Sequence, residues 1–441
     1  MFRYSRNISS SKAITLSFIT SLLMVAGCSS SNDDGGGVFV MSNTLEENTI
    51  VAYQRAGNGR LTLAGEFATG GQGGVFDGGE GLDPLISAYS LLITPDNKYL
   101  MAVNAGSNTV SVMRINADMT LELIDTESTN GTGPNSIAYS NGFVYVTNVD
   151  ADGVFMGEPD QEGSITAYSF ANGDLTSLEN STRNLPNRPS AIRISPDGEY
   201  LITSSVNAGS AALASENKDA IIVFGLDDNG IPTEAPVSGA SSTEVGNAEN
   251  RNLPTSIGFD VVNRANRTFV IATEAREFRS QGEPPAFPEL QTGSISVYEL
   301  GEGGALTGAQ LDLLAGQSVT VGQRTSCWIV MSPDDEFFWV ANALEASISS
   351  FRFTDATGNI ELVQELAAVG MQPTSPEPAV AIATSDGFID LDITDDGQYL
   401  YQLYGLSGVV GVFRVDGGNL TLVEKVSGDL PDRDTQGIVA F

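Results

Sequence analysis

The sequence predicts an all-β fold: a seven-bladed β-propeller of four-stranded antiparallel blades, closed by the C-terminal strand joining the N-terminal blade. Three observations predict it. One apolar segment recurs seven times at regular spacing. Each copy is followed by segments of strand-like alternation and preceded, in six units, by a short strand ending in a turn. The last residues of the chain repeat a strand that the first unit lacks.

The recurring segment reads VFVMSN (from Val38), YLMAVN (Tyr99), FVYVTN (Phe143), YLITSS (Tyr200), TFVIAT (Thr268), FFWVAN (Phe337) and YLYQLY (Tyr399). Alternating segments follow, among them NTVSVMRI, GSITAYSF, GSISVYEL and ASISSFRF, and then a third kind, as in RLTLAGEF, TLELIDTE and NLTLVEKV. The preceding strands end as SLLITPDN, AIRISPDG, WIVMSPDD and DLDITDDG. Pro presets φ there, and Gly or Asn tolerates φ > 0, so these are tight turns. Val38 and Tyr399 are six intervals apart, about 60 residues per unit, room for four short strands with loops. Such units bury their faces only by stacking radially, which is propeller architecture. QGIVAF resembles SIAYS and SIGFD in pattern and supplies the missing innermost strand, so the ring has no open edge. Residues 38–441 are read as this one domain.

The front of the chain is different. MFRYSRNISSSK carries Arg3, Arg6 and Lys12, and the apolar AITLSFITSLLMVAG follows, the pattern of a secretory signal. It ends on Val25-Ala26-Gly27-Cys28, which resembles the bacterial lipobox. That resemblance implies that Cys28 becomes a lipidated N-terminus after a signal peptide of residues 1–27, with residues 28–37 as a flexible tether. Ser29 follows the cysteine, so the expected location is the cell envelope, anchored to the outer membrane by lipid on Cys28. Cys327 then has no disulfide partner and, in the apolar SCWIV, is expected to be a buried packing residue.

A net charge of −34 with no histidine disfavours nucleic acid as a partner and removes the commonest general base and zinc ligand. No cofactor and no metal are expected. NVDADG (148–153) has the acid spacing of a calcium loop, but Pro159 stands at the closing position, and it reads as an Asx-rich loop. GGQGGVFDGGEG has no following Lys-Ser/Thr to make a phosphate cradle.

Label the strands A to D from the channel outward. Tight A–B turns make one face plain. Three successive B–C loops are long (149–162, 206–218 and 274–292), as are the D–A connections 70–84 and 370–386. All fall on the opposite face, the expected working face. Where strand A begins at that face, the chain offers Asn135, Arg188, Ser190, Thr255, Arg324 and Gln436, a set that suits a carboxylate or phosphate. Glu274 ends strand B of the fifth unit at the same level, with Arg276 close by.

SPDGEYLITSS, GPNSIAYSNGFVYVTN, SCWIVMSPDDEFFWVANALEASISSFRF and DLDITDDGQYLYQLYG together resemble the lactonase-type seven-bladed propellers, which include 6-phosphogluconolactonase and the carboxymuconate-cyclising enzymes. The resemblance spans nearly the whole chain after the tether. It implies a site built from His and Arg near the start of strand A and a Glu after strand B. Glu274, in IATEA, matches the glutamate, while the histidine positions read Pro134-Asn135-Ser136, Pro189-Ser190-Ala191 and Pro254-Thr255-Ser256. Two functions are expected. The first is a propeller of lactonase ancestry that binds a small anionic molecule, a glycan or a protein through its loop face, which the missing histidines favour. The second is a hydrolase opening a lactone of a sugar acid, with Glu274 as general base and Arg188 and Arg324 holding the anion.

Overall fold

A computed structural model describes residues 35–76, 82–149, 162–185, 188–206, 220–240, 258–274, 293–310, 319–320, 323–374 and 378–441. Cys28, Thr255 and Arg276, and the NVDADG segment beyond Val149, lie outside the described residues. Asp34–Phe441 forms one compact unit. It contains seven antiparallel sheets, six of them ordered from an inner to an outer strand as the chain runs. The sixth blade is representative: Ser326–Met331, Phe337–Asn342, Ser347–Phe353 and Ile360–Val369. In the third and fifth blades the outer position is shared by two short strands, Asp174–Ser177 with Arg183–Leu185 and Leu306–Gln310 with Val319–Thr320.

The ring closes as the repeat pattern requires. Ile438–Ala440 pairs antiparallel with Gly36–Met41, setting Val38 opposite Ala440 and Val40 opposite Ile438. On its other side, the closing strand is stitched to the seventh blade by side chains. Asp390 Oδ2 accepts the Gly437 N–H (2.7 Å) and Asp392 Oδ2 accepts the Ala440 N–H (2.8 Å).

The A–B turns share one hydrogen-bond device that explains their sequence. In TPDNKY, SPDGEY, SPDDEF and TDDGQY the first hydroxyl donates to the carboxylate two residues on. It also accepts the backbone N–H of the aromatic residue five residues on. A side chain thus replaces a ladder partner at each turn. Between blades the core is apolar and well filled: Trp339 and Phe338 are fully buried, and Phe338 stacks on Phe351 at 5.0 Å. Cys327 is buried at 1% exposure.

Two features position the channel. Four inner strands carry a bulge near their start, between Pro134 and Ser136, Pro189 and Ala191, Ser326 and Trp328, and Phe388 and Leu391. A bulge re-aims the side chains around it. The second feature is a plug. The long connection after the first blade does not stay on the surface; residues 85–90 pass through the middle of the ring before the inner strand Leu91–Ile93. Ser87 O accepts Trp328 Nε1–H (2.8 Å) and Gln436 Nε2–H (2.9 Å), and Ala88 O accepts the Ser136 hydroxyl (2.7 Å). Tyr89 Oη–H donates to Phe259 O (2.8 Å). Ile86 and Tyr89 hold φ of 47° and 67°, unfavourable for side chains of their size, and these bonds from the first, third, fifth and sixth blades hold the plug in that conformation.

Candidate functional site

At the loop face, two strand-B ends share one arrangement. Asn104 and Asn342 close the second strands of blades two and six. Asn342 Nδ2 donates to the Ser347 and Ser349 hydroxyls (3.2 and 2.9 Å), and Asn104 Nδ2 donates to those of Thr109 and Ser111 (3.1 and 2.8 Å). Glu274 stands at the same position of the fifth blade, 1% exposed. Its Oε1 accepts the Ser296 hydroxyl at 2.7 Å and its Oε2 that of Ser294. The partners are equivalent but the polarity is reversed, because a carboxylate only accepts. A buried carboxyl therefore stands where blades two and six have a neutral amide.

Across the seam, Gly293 N–H donates to Gln323 O (2.7 Å), which sets the segment leading to Ser326 beside the Glu274 strand end. Arg324 lies on that segment and pairs with Glu345, both side chains largely buried (13% and 18% exposed). Glu274 and Arg324 are thus brought to the two sides of one seam.

The other expected ligand residues surround the plug. Arg188, 3% exposed, has its guanidinium 5.6 Å from the Phe76 ring centroid and donates from Nη2 to Leu85 O at 3.5 Å. Asn135 and Ser190 are the bulge residues of their strands. Asn135 Nδ2 donates to Pro189 O (2.8 Å), Thr147 Oγ1–H donates to Asn135 Oδ1 (2.8 Å), and Ser190 and Ser204 share a hydroxyl bond of 2.7 Å. Gln436 bridges Ser87 O and Asp390 Oδ2 (2.8 Å). These side chains grip the plug and one another.

Sequence reasoning missed the other mouth of the channel. A cavity of about 460 Å³ opens at the tight-turn face, lined by the Tyr89 plug and by inner strands of five blades. Four charged side chains line it, Arg193, Asp390, Asp392 and Asp395, and Asp260 pairs with Arg193. Arg193 Nε lies 3.4 Å from Asp260 Oδ1, and its guanidinium sits 3.1 Å from the Tyr89 ring centroid. Asp390 and Asp392 come from the seventh inner strand. Burial pushes the Asp390 carboxyl up to about 7, with the Asp392 charge adding to the rise and the Gly437 and Gln436 donors opposing it. Burial pushes Asp392 up to about 7 as well, against its backbone bonds and Arg193. Burial also raises the Asp260 carboxyl and the Tyr89 phenol, in each case against the pull of Arg193. The signal was present in the sequence: FIDLDI, AIRI and FDVV put charges on inner strands that elsewhere read IAYS or IVA.

Comparison with known proteins agrees with this architecture. The family described as lactonase, 7-bladed beta-propeller matches residues 81–166 and 280–433, more than half of the chain. A 6-phosphogluconolactonase of Cronobacter sakazakii is 26% identical over 257 residues, 58% of this chain and 61% of that protein. The enzyme of the same name from Klebsiella pneumoniae is 27% identical over 138 residues, 31% of this chain and 38% of its own length. The chain therefore spans less than two thirds of the curated relatives it matches. Among solved structures, a protein of Bacteroides uniformis provisionally assigned as a 6-phosphogluconolactonase superposes with a TM-score of 0.60 at 18% identity, covering 92% of this chain and all of that one. One from Bacteroides fragilis with the same provisional assignment gives 0.58 at 17%, covering 93% and 99%. At such identities the likeness shows the fold.

Proposed function

The chain belongs to the lactonase family of seven-bladed β-propellers, and from that premise we propose that it hydrolyses a lactone of a sugar acid or a related anionic ring at the loop face. The observation that carries the proposal is Glu274: a buried carboxylate, held by two serine hydroxyls, in a slot where Asn104 and Asn342 serve as amides. An ionisable group in a structural slot costs desolvation, and a general base is a use that offsets it.

In this reading Glu274 takes a proton from water as the water oxygen bonds to the lactone carbonyl carbon. The acyl C–O bond of the ring then breaks, and the departing ring oxygen receives that proton, leaving a hydroxy acid. Arg324, across the seam, faces the carboxylate or phosphate of the substrate and the developing oxyanion. The Ser294 and Ser296 hydroxyls fix the orientation of the Glu274 carboxyl.

A second reading is favoured by a separate observation. Arg188, Asn135 and Gln436 are bonded to the plug and to neighbouring strands, which supports a propeller that binds a ligand or partner without turning it over. Hydrolysis of δ- and γ-lactones of sugar acids, followed by pH-stat with the purified protein, separates the two. Turnover above the spontaneous rate supports the hydrolase. Saturable binding of the same lactones or their open acids without turnover supports the binder.

The location belongs to the proposal as well: a cell-envelope lipoprotein, anchored at the outer membrane through Cys28. It is supported by the sequence Val25-Ala26-Gly27-Cys28-Ser29. Metabolic labelling with palmitate that disappears in Cys28→Ala is the expected result.

A further inference from the structure

The cavity at the tight-turn mouth is separated from the loop face by the plug, so a ligand there is independent of the reaction proposed above. Its charge is unbalanced. Arg193 faces Asp260, Asp390 and Asp392, and Asp395 stands on the rim. One cation thus meets three carboxylates, with a fourth at the entrance. The Arg193 charge is already committed, to Asp260 on one side and the Tyr89 ring on the other.

The carboxylates differ in what remains open. Both Asp392 oxygens accept backbone N–H groups, from Ala440 and Ile393. Asp390 Oδ2 accepts two donors, Gln436 and Gly437. Asp390 Oδ1 accepts none among the described residues, although the residue is 95% buried and lines the cavity. That oxygen is left facing the open cavity, free to accept a donor from a ligand. No group of three carboxylate or cysteine ligands able to hold a metal occurs among the described residues. The cavity volume suits a small organic molecule, and its wall includes the apolar Leu91, Ile93, Val330 and Ile438 beside the polar Thr94 and Asn97.

We propose that the tight-turn mouth of the channel binds a small organic amine, its ammonium group donating to Asp390 Oδ1 within the field of Asp392 and its carbon chain lying on the apolar wall. The ammonium supplies the donor that Asp390 lacks and offsets the surplus negative charge. Asp260 stays with Arg193, and Asp395 draws cations to the entrance. Burial holds Asp390 and Asp392 near neutral pH for protonation, so a bound cation, by favouring the ionised form, releases protons on binding.

The test is calorimetric titration of the whole protein with putrescine, with 1,4-butanediol as the uncharged control, at pH 8 and pH 6 in 0.2 M NaCl. The expected result is saturable binding at one site per chain, at least ten-fold weaker at pH 6, and none for the diol. At pH 7, heats in buffers of different ionisation enthalpy should reveal proton release. Asp390→Asn should weaken binding at least ten-fold; Asp392→Asn, which leaves the Gln436 and Gly437 bonds in place, should weaken it several-fold. Non-saturating heats, equal binding of the diol, or putrescine binding unchanged in both variants overturns the proposal. If Asp390→Asn fails to fold, Asp392→Asn together with the proton count decides. None of these readouts depends on lactone turnover.

Discussion

Glu274 and Asn342 end the second strands of successive blades, and each side chain bonds two serine hydroxyls of its own third strand. The equivalence has a consequence for stability. Glu274→Asn and Glu274→Gln put back an amide of the kind used at Asn104 and Asn342, and serine hydroxyls can donate to it or accept from it. Urea unfolding should show a loss below about 1 kcal/mol for either. Glu274→Ala strands two buried hydroxyls and should cost about 1–3 kcal/mol.

The plug makes a second prediction. Trp328→Phe keeps an aromatic ring but removes the Nε1–H that donates to Ser87 O. The carbonyl keeps its bond from Gln436, so the expected cost is about 1 kcal/mol. Hydrogen exchange should locate the effect: Ala88 N–H, which donates to Ser190 O, should exchange faster in the variant, and the outer strands should not change.

Stability should fall as pH rises from about 4 to 7. The Asp390 and Asp392 carboxyls are raised in the folded protein, so they retain protons that the unfolded chain has lost. Their contribution is complete below the unfolded value of 3.8 and disappears as pH climbs through about 7, by up to about 4 kcal/mol per group. Asp355, lowered to about 2 by its side-chain bonds, is exposed and acts below this window. Thermal melts of Asp390→Asn should show a flatter profile and a gain over the parent at pH 8. A parent profile that rises between pH 5 and 7.5 would contradict this.

The closing strand is short, three residues, and its two flanks belong to different blades. Val439→Pro removes an N–H opposite Phe39 and should cost more than about 2 kcal/mol, opening the ring to association through its edge. Size-exclusion chromatography and the melting midpoint report both effects.

The fold was legible because each blade repeats the same local physics. Hydroxyl, Asp and aromatic residues at fixed offsets write the A–B turn, and apolar residues stand on the inner strands, so seven units and the orphan QGIVAF follow from pattern alone. The site was less legible. Glu274 differed visibly from Asn104 and Asn342, but its serine partners lie twenty and more residues away, across the long loop. Arg188 and Gln436 read as ligand groups because nothing in a pattern says that a distant loop enters the channel and takes their hydrogen bonds. The Asp390, Asp392, Arg193 and Asp260 cluster needed three strands from three blades to meet, although one anomaly, acid in FIDLDI, pointed at it.

The most direct measurement is lactone hydrolysis by the parent protein and by Glu274→Gln, at matched folded concentration verified by unfolding midpoint. The account predicts turnover by the parent and a fall in kcat of about 100-fold or more in the variant, with stability within about 1 kcal/mol of the parent. Turnover that survives Glu274→Gln undiminished would contradict the assignment of the base, and a folded parent without turnover on any lactone would contradict the hydrolase itself.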